Sequence, residues 1–74
     1  MTKLPVVSSE LRAVGYDSDD NVLEIEFNNG GVYRYFGVPI HVYSSLMTVP
    51  SKGRYFNQQI RSNYYCLRLG SGED

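Results

Sequence analysis

Val22-Leu23-Glu24-Ile25-Glu26-Phe27-Asn28-Asn29-Gly30-Gly31-Val32-Tyr33-Arg34-Tyr35-Phe36 is the stretch that decides the fold. Leu23, Ile25 and Phe27 alternate with Glu24 and Glu26, the period of a strand with one apolar and one wet face. Asn28-Asn29-Gly30-Gly31 then supplies residues that tolerate the positive φ of a tight hairpin. A two-residue loop at Asn29-Gly30 pairs Phe27 with Val32 and Ile25 with Arg34, which puts a guanidinium on the apolar face. A three-residue loop, Asn29-Gly30-Gly31 with Gly31 left-handed, pairs Phe27 with Tyr33, Ile25 with Tyr35 and Glu26 with Arg34. An unpaired buried guanidinium costs several kcal/mol whereas a cross-strand ion pair is mildly favourable, so the three-residue loop is expected. In that register Tyr33-x-Tyr35 is mainly a core feature.

Outward from this hairpin, Leu11 to Tyr16 is compatible with a strand, and Asp17-Ser18-Asp19-Asp20-Asn21 is a turn-forming cluster that joins it to Val22. Residues 1–8 form an extended lead. Val32 to Val38 completes a three-strand meander. Pro39 suits a first helical turn, and Val42, Tyr43, Leu46 and Met47 recur at helical spacing, giving a helix over about Pro39 to Met47. After Pro50, Ser51 is placed to cap a second helix with Tyr55, Phe56 and Ile60 on one side. Tyr64 to Leu69 alternates Tyr65, Leu67 and Leu69 against Tyr64, Cys66 and Arg68, a closing strand before a Gly-Ser-Gly tail. The expected fold is α+β: a small antiparallel three-strand meander, two short helices and a closing C-terminal strand (βββααβ). One domain spans residues 1–74, with its core at about 7–69 and flexible ends at 1–6 and 70–74.

With 74 residues there is material for one thin core, in which 14% aromatic residues compensate for the short chain. The single Cys66 forms no internal disulfide, which makes the cytoplasm the default compartment. No window is apolar for long enough to cross a bilayer, and the N-terminus lacks the apolar stretch of a signal peptide. The net charge of −1 argues against coating nucleic acid by bulk charge. Charge is nonetheless segregated. No Asp or Glu occurs between Phe27 and Gly72, where Arg34, Lys52, Arg54, Arg61 and Arg68 are interleaved with tyrosines; Glu10, Asp17, Asp19, Asp20, Glu24 and Glu26 precede this segment, and Glu73 and Asp74 follow it.

Several motifs in this order resemble the KTSC domain family. They are Ser8-Ser9-x-Leu11-x-x-Val14-Gly15-Tyr16-Asp17, Leu23-x-Ile25-x-Phe27, Gly31-x-Tyr33-x-Tyr35-x-x-Val38-Pro39-x-x-Val42-Tyr43-x-x-Leu46 and Ser51-x-Gly53-x-Tyr55-Phe56-Asn57-x-x-Ile60-Arg61-x-x-Tyr64. The resemblance covers roughly residues 7 to 65. The family is named from the C-terminal segment of some lysyl-tRNA synthetases and also occurs as small bacterial and phage proteins. It implies no established activity; RNA binding is the role suspected for it. Val49 departs from the family, which often has a small residue there.

Ser51, Lys52, Gly53 and Arg54 admit two readings: a hydroxyl, two cations and exposed helix-start amides forming a phosphate pocket, or a cap, a close contact and two solvated charges. It is not a P-loop. Arg54 and Arg61 are seven positions apart, so in a continuous helix both guanidiniums project from roughly the same face. Arg61 and Arg54 would then hold phosphates with Lys52, Tyr64 would stack as the exposed tyrosine, Tyr33 and Tyr35 would stack or pack, and Asn57 or Gln58 would supply neutral hydrogen bonds. His41 lacks a second metal-ligand residue at suitable spacing, and the Asp17, Asp19 and Asp20 cluster lacks the remainder of a calcium loop, so neither cofactor nor metal is expected. Without a general base or metal cluster, the chain reads as a binding module and not an enzyme. Its expected ligand is RNA or a nucleotide. The alternatives are an acidic host protein, met by a phage or plasmid accessory factor, and a homodimer through an edge strand.

Overall fold

Alternation along Val22–Phe27 and positive-φ residues after it produce a central antiparallel hairpin, and the rest of the chain extends or covers this ribbon. In chain order the elements are β1 (Lys3–Pro5), β2 (Leu11–Asp17), β3 (Val22–Phe27), β4 (Gly31–Phe36), α1 (Ile40–Thr48), α2 (Lys52–Gln59) and β5 (Cys66–Ser71). This is a computed structural model, and it describes residues 1–71. The strands form one antiparallel five-stranded sheet in the order β1-β2-β3-β4-β5, with both helices in the connection from β4 to β5. The α+β class agrees with the sequence. Its finer topology is corrected: the extended lead contributes β1, so a four-strand meander precedes the helices, and the closing strand pairs with β4. Glu73 and Asp74, with the end of the tail, lie outside the described residues.

The hairpin register also differs from expectation. Ile25 pairs with Tyr33, Glu24 with Arg34 and Leu23 with Tyr35. The loop is therefore Asn28-Asn29-Gly30, with Gly30 at φ 94° and Asn29 Oδ1 accepting the Gly31 amide at 2.9 Å. Moving the pairing by two residues preserves every side chain's face because the strand period is two. Tyr33 and Tyr35 consequently stay on the apolar face, while Arg34 lies opposite Glu24 instead of Glu26. Asn29 decides the register: its side chain closes the turn on Gly31, leaving Gly31 in the strand.

Leu11, Val14, Leu23, Ile25 and Tyr35 from the sheet meet Val42 and Leu46 of α1 and Phe56 and Ile60 at α2 in a single core. Leu11 and Val14 are three residues apart yet share that core because a bulge at Arg12 shifts the β2 register. Tyr16 stacks on Tyr43, with centroids 4.8 Å apart, and donates to the Val38 carbonyl at 2.6 Å, fastening α1 to the sheet. Pro39 sits just before α1, not inside its first turn. The acidic turn closes on itself, with Asp17 Oδ1 accepting the Asp19 amide at 2.9 Å. No helix among the described residues is long and apolar enough to cross a membrane.

Candidate functional site

The uncovered face of the sheet accounts for three of the cations. Lys3 reaches Glu26 at 3.0 Å and Glu24 at 3.4 Å, Arg12 reaches Glu26 at 3.3 Å, and Arg34 Nε donates to Glu24 Oε1 at 2.8 Å. Gly15 allows this arrangement, since a Cβ there would come within 3.1 Å of the Lys3 side chain that crosses it. Lys3 and Arg12 hydrogen bonds hold the Glu26 carboxyl below its ordinary range. Glu24 is nearly buried between its cationic neighbours.

On the helix side, Lys52 is also committed. Its ammonium donates to the Met47 and Val49 carbonyls at 3.2 and 3.0 Å, satisfying backbone acceptors at the end of α1. Ser51 occupies the N-cap position of α2 without a side-chain capping bond. The Glu10 carboxylate takes up the space above Gly53: Oε1 lies 2.7 Å from where a Gly53 Cβ would stand. A negative group near the start of α2 suits the helix dipole. Of the two readings of Ser51-Lys52-Gly53-Arg54, the close contact at Gly53 is present: a carboxylate rests against that glycine, and the lysine is turned toward α1.

Arg54 and Arg61 are not brought together. Helix α2 ends at Gln59, Ile60 takes the C-cap, and Arg61 follows in the turn, so the continuous helix assumed for their common face does not extend far enough. Arg54 borders one hollow with Ser9, Glu10 and Ser51, and another with Val49, Pro50 and Tyr55. Arg61 borders a different, larger hollow of about 380 Å³ between α2 and the sheet.

That groove gathers Tyr33, Tyr35, Asn57 and Arg61 from the expected site residues. Phe56 forms part of its wall, meeting Phe27 and Tyr35 edge-on at 5.3 and 5.5 Å. Arg61 Nη1 donates to Asn57 Oδ1 at 3.3 Å, leaving the Asn57 amide nitrogen as a further donor. Tyr35 is only 4% exposed, but its hydroxyl lacks a hydrogen-bond partner among the described residues and is not sealed from the groove. Burial pushes its pKa up to about 12, helped by Cys66 and Tyr33 and opposed by Arg61, so at neutral pH it remains an O–H donor. Guanidinium, amide and phenol thus present donors to one cavity. Glu10 stands at the rim as its carboxylate.

The expectation for Tyr64 is reversed. Tyr64 packs against the core, whereas its neighbour Tyr65 is 71% exposed. Strand β5 enters with Cys66 opposite Tyr35, Leu67 opposite Arg34 and Arg68 opposite Tyr33, so Leu67 faces the uncovered side. Arg68 lies 5.9 Å above the Tyr33 ring. Tyr65 and Leu67, from the apolar series of this alternation, are exposed because the helices cover only the other face. Sequence reasoning also missed Glu10 as a rim residue, although the need for a glycine at 53 was the signal that something packs there. His41 is exposed, and no metal-ligating cluster occurs among the described residues.

The KTSC domain model matches residues 7–64. The chain belongs to the KTSC domain family. A crystal structure of a KTSC domain protein from Yersinia pestis superposes with a TM-score of 0.91 at 39% identity, covering 93% of this chain and 97% of that one. An uncharacterized protein of Stutzerimonas stutzeri is 42% identical over 65 residues, 88% of this chain and 92% of that protein. A lysine–tRNA ligase of Trichormus variabilis is 39% identical over 56 residues, 76% of this KTSC chain but only 10% of the ligase. The groove-lining Tyr33, Tyr35, Phe56, Asn57 and Arg61 all fall inside the matched KTSC segment.

Proposed function

We propose that this KTSC domain is a small, non-enzymatic cytoplasmic binding module that takes an anionic ligand, RNA or a nucleotide, in the groove between α2 and the sheet. The observation that carries this reading is the convergence of Arg61, Asn57 and the Tyr35 hydroxyl as donors on one cavity of about 380 Å³. A phosphate or a nucleobase carbonyl offers the acceptors these groups lack. Tyr33, half-buried at the mouth beneath Arg68, supplies an aromatic face for an unstacked base. Relatives of this segment within proteins named lysine–tRNA ligase favour RNA over other anions. Roles for Lys52, Ser51 and Tyr64 are not carried forward: Lys52 is bonded to the Met47 and Val49 carbonyls, Tyr64 packs against the core, and Ser51 lies away from this groove.

Amide chemical-shift titration with short single-stranded RNA and a panel of mononucleotides, at low and high salt, tests ligand class and site together. Shifts centred on Tyr33, Tyr35, Asn57 and Arg61 that diminish with salt are expected, and Arg61→Ala weakens binding by about tenfold, the scale of a lost charged hydrogen bond. Unchanged spectra with every ligand, or unchanged affinity in Arg61→Ala, defeats the assignment.

A second reading, a module docking on an acidic host protein as a phage or plasmid accessory factor would, draws on Arg54. This arginine has no ion-pair partner among the described residues and flanks an apolar hollow made by Val49, Pro50 and Tyr55. Loss of a specific protein pull-down in Arg54→Ala, without nucleic-acid binding by the parent chain, favours it.

A further inference from the structure

The groove between α2 and the sheet is not uniform along its length. Glu10 stands toward one end and Arg61 toward the other, with Asn57 between them. Gly53, against which the Glu10 carboxylate rests, is one helical turn before Asn57, and Arg61 Nη1 reaches Asn57 Oδ1 at 3.3 Å from one turn after it. At the rise of an α-helix, Gly53 and Arg61 stand on the order of 10 Å apart along the axis. The backbone of Glu10 is tied down: its amide donates to Ser8 Oγ at 3.2 Å and its carbonyl accepts the Asn28 amide at 2.9 Å. Its carboxylate has no ion-pair partner among the described residues.

The aromatic lining is divided in the same way. Strand β2 begins beside Glu10 with Leu11 opposite Phe27, and Phe27 meets the Tyr33 ring edge-on at 5.7 Å, so these rings lie at the carboxylate's end. Tyr35, on which the charge of Arg61 acts, lies opposite Cys66 at the guanidinium's end. A cavity for phosphate alone gains nothing from a carboxylate, because like charge repels the ligand. A ligand with hydrogen-bond donors at one end and an anion at the other uses both ends.

We propose, resting on the reading of this groove as a site for RNA or a nucleotide, that Glu10 selects a guanine base, which sits at the Tyr33 end with its phosphate toward Arg61. An ionised carboxylate only accepts hydrogen bonds, and its two oxygens suit two donors side by side. The Watson–Crick edge of guanine presents such a pair, N1–H and the 2-amino group. Adenine and cytosine each place a ring-nitrogen lone pair beside the amino group, and uracil flanks its single N–H with two carbonyls, so each turns an acceptor toward the carboxylate. The Asn57 amide nitrogen remains a donor for the guanine O6 carbonyl.

Amide chemical-shift titration with the 5′-monophosphates of guanosine, inosine, adenosine, cytidine and uridine, and with uridine pentamers carrying or lacking one central guanosine, reads base and orientation together. Guanosine monophosphate is expected to bind about tenfold more tightly than the adenosine, cytidine and uridine compounds, the scale of a bidentate base contact, with inosine monophosphate, which lacks the 2-amino group, falling between. Glu10→Gln abolishes this preference, whereas Arg61→Ala weakens all five nucleotides alike and preserves it. Guanosine without its phosphate still shifts the amides of Ser9, Glu10 and Leu11 but no longer that of Arg61. Equal, Arg61-dependent binding of every nucleotide overturns the guanine assignment and leaves the proposed function standing. A preference that persists in Glu10→Gln also overturns it, leaving Glu10 as a complement to the α2 dipole. Absence of binding by every nucleotide and pentamer overturns both readings.

Discussion

On the side of the sheet away from the helices, Lys3, Arg12 and Arg34 clasp Glu24 and Glu26 at distances between 2.8 and 3.4 Å. On the helix side, Arg61 contacts the neutral Asn57, and Tyr35 lines the same cavity with its hydroxyl lacking a protein partner among the described residues. The sheet thus has one face whose charges answer one another and one whose donors remain available. A cation count along the chain cannot distinguish these cases. Arg34 and Arg61 both lie in the acid-free segment, yet the strand period delivers Arg34 to Glu24 while the end of α2 leaves Arg61 at the groove.

The contrast can be broken most severely at the wall that supports the groove. Phe56→Ala removes a buried ring touching Phe27 and Tyr35, and a truncation of this kind costs about 3–5 kcal/mol. In a domain of this size that is most of the stability, so urea unfolding should show a greatly lowered midpoint. A loss below about 1 kcal/mol would mean that the helix side is loosely packed and that the groove is not a built cavity.

The next effect belongs to the charged face. Glu24→Ala leaves Arg34 and Lys3 without their nearly buried acceptor and should cost about 1–3 kcal/mol. Glu24→Leu should recover much of that loss by replacing the carboxylate with packed carbon, because such ion pairs define position more than they stabilise. Urea unfolding of both variants separates the two contributions. Equal losses would show that the carboxylate's hydrogen bonds, and not its volume, hold this face together.

Arg61→Ala should move stability by no more than about 0.5 kcal/mol, since its guanidinium is exposed and pairs with no acid among the described residues. The same substitution carries the tenfold loss of ligand affinity expected of the proposed function. A substantial loss of stability instead would place Arg61 with Arg34 as a structural residue and erase the distinction between the faces.

Much of this architecture was legible because local chemistry determines it. The alternation of Leu23, Ile25 and Phe27, the turn at Asp17 to Asn21 and the helical spacing of Val42 and Leu46 each point to the element observed. The register escaped by two residues, because choosing between turns depends on one hydrogen bond from Gly31 to the Asn29 side chain. Strand β1 escaped because three residues carry no usable period. The facing of β5 escaped for a deeper reason: alternation reveals that a strand has two faces, but only tertiary placement says which face is covered. The site was legible in part. Tyr33, Tyr35, Asn57 and Arg61 converge, whereas Lys52 and Glu10 were misjudged because their partners lie on other elements.

The smallest effect is the most discriminating between the faces, because it reads charge pairing through pH. The Lys3 hydrogen bond, followed by the charges of Lys3 and Arg12, lowers the Glu26 carboxyl against the opposing effect of burial. A carboxyl lowered by folding contributes stability above its unfolded pKa, near 4.5, and loses it as pH falls through the lower folded value. Lys3 is raised by the same hydrogen bond, so its contribution is complete below 10.5 and disappears as pH rises through the folded value above it. Lys3→Met should therefore be less stable than the parent by under about 1 kcal/mol on a neutral plateau, with the gap closing at both extremes. Added salt should narrow the gap on the plateau. Arg61→Met should show no such window, since Arg61 has no acid partner among the described residues. If its gap from the parent also opens and closes with the titration of a carboxylate, the helix side carries an ion pair of its own and its donors are not available to a ligand.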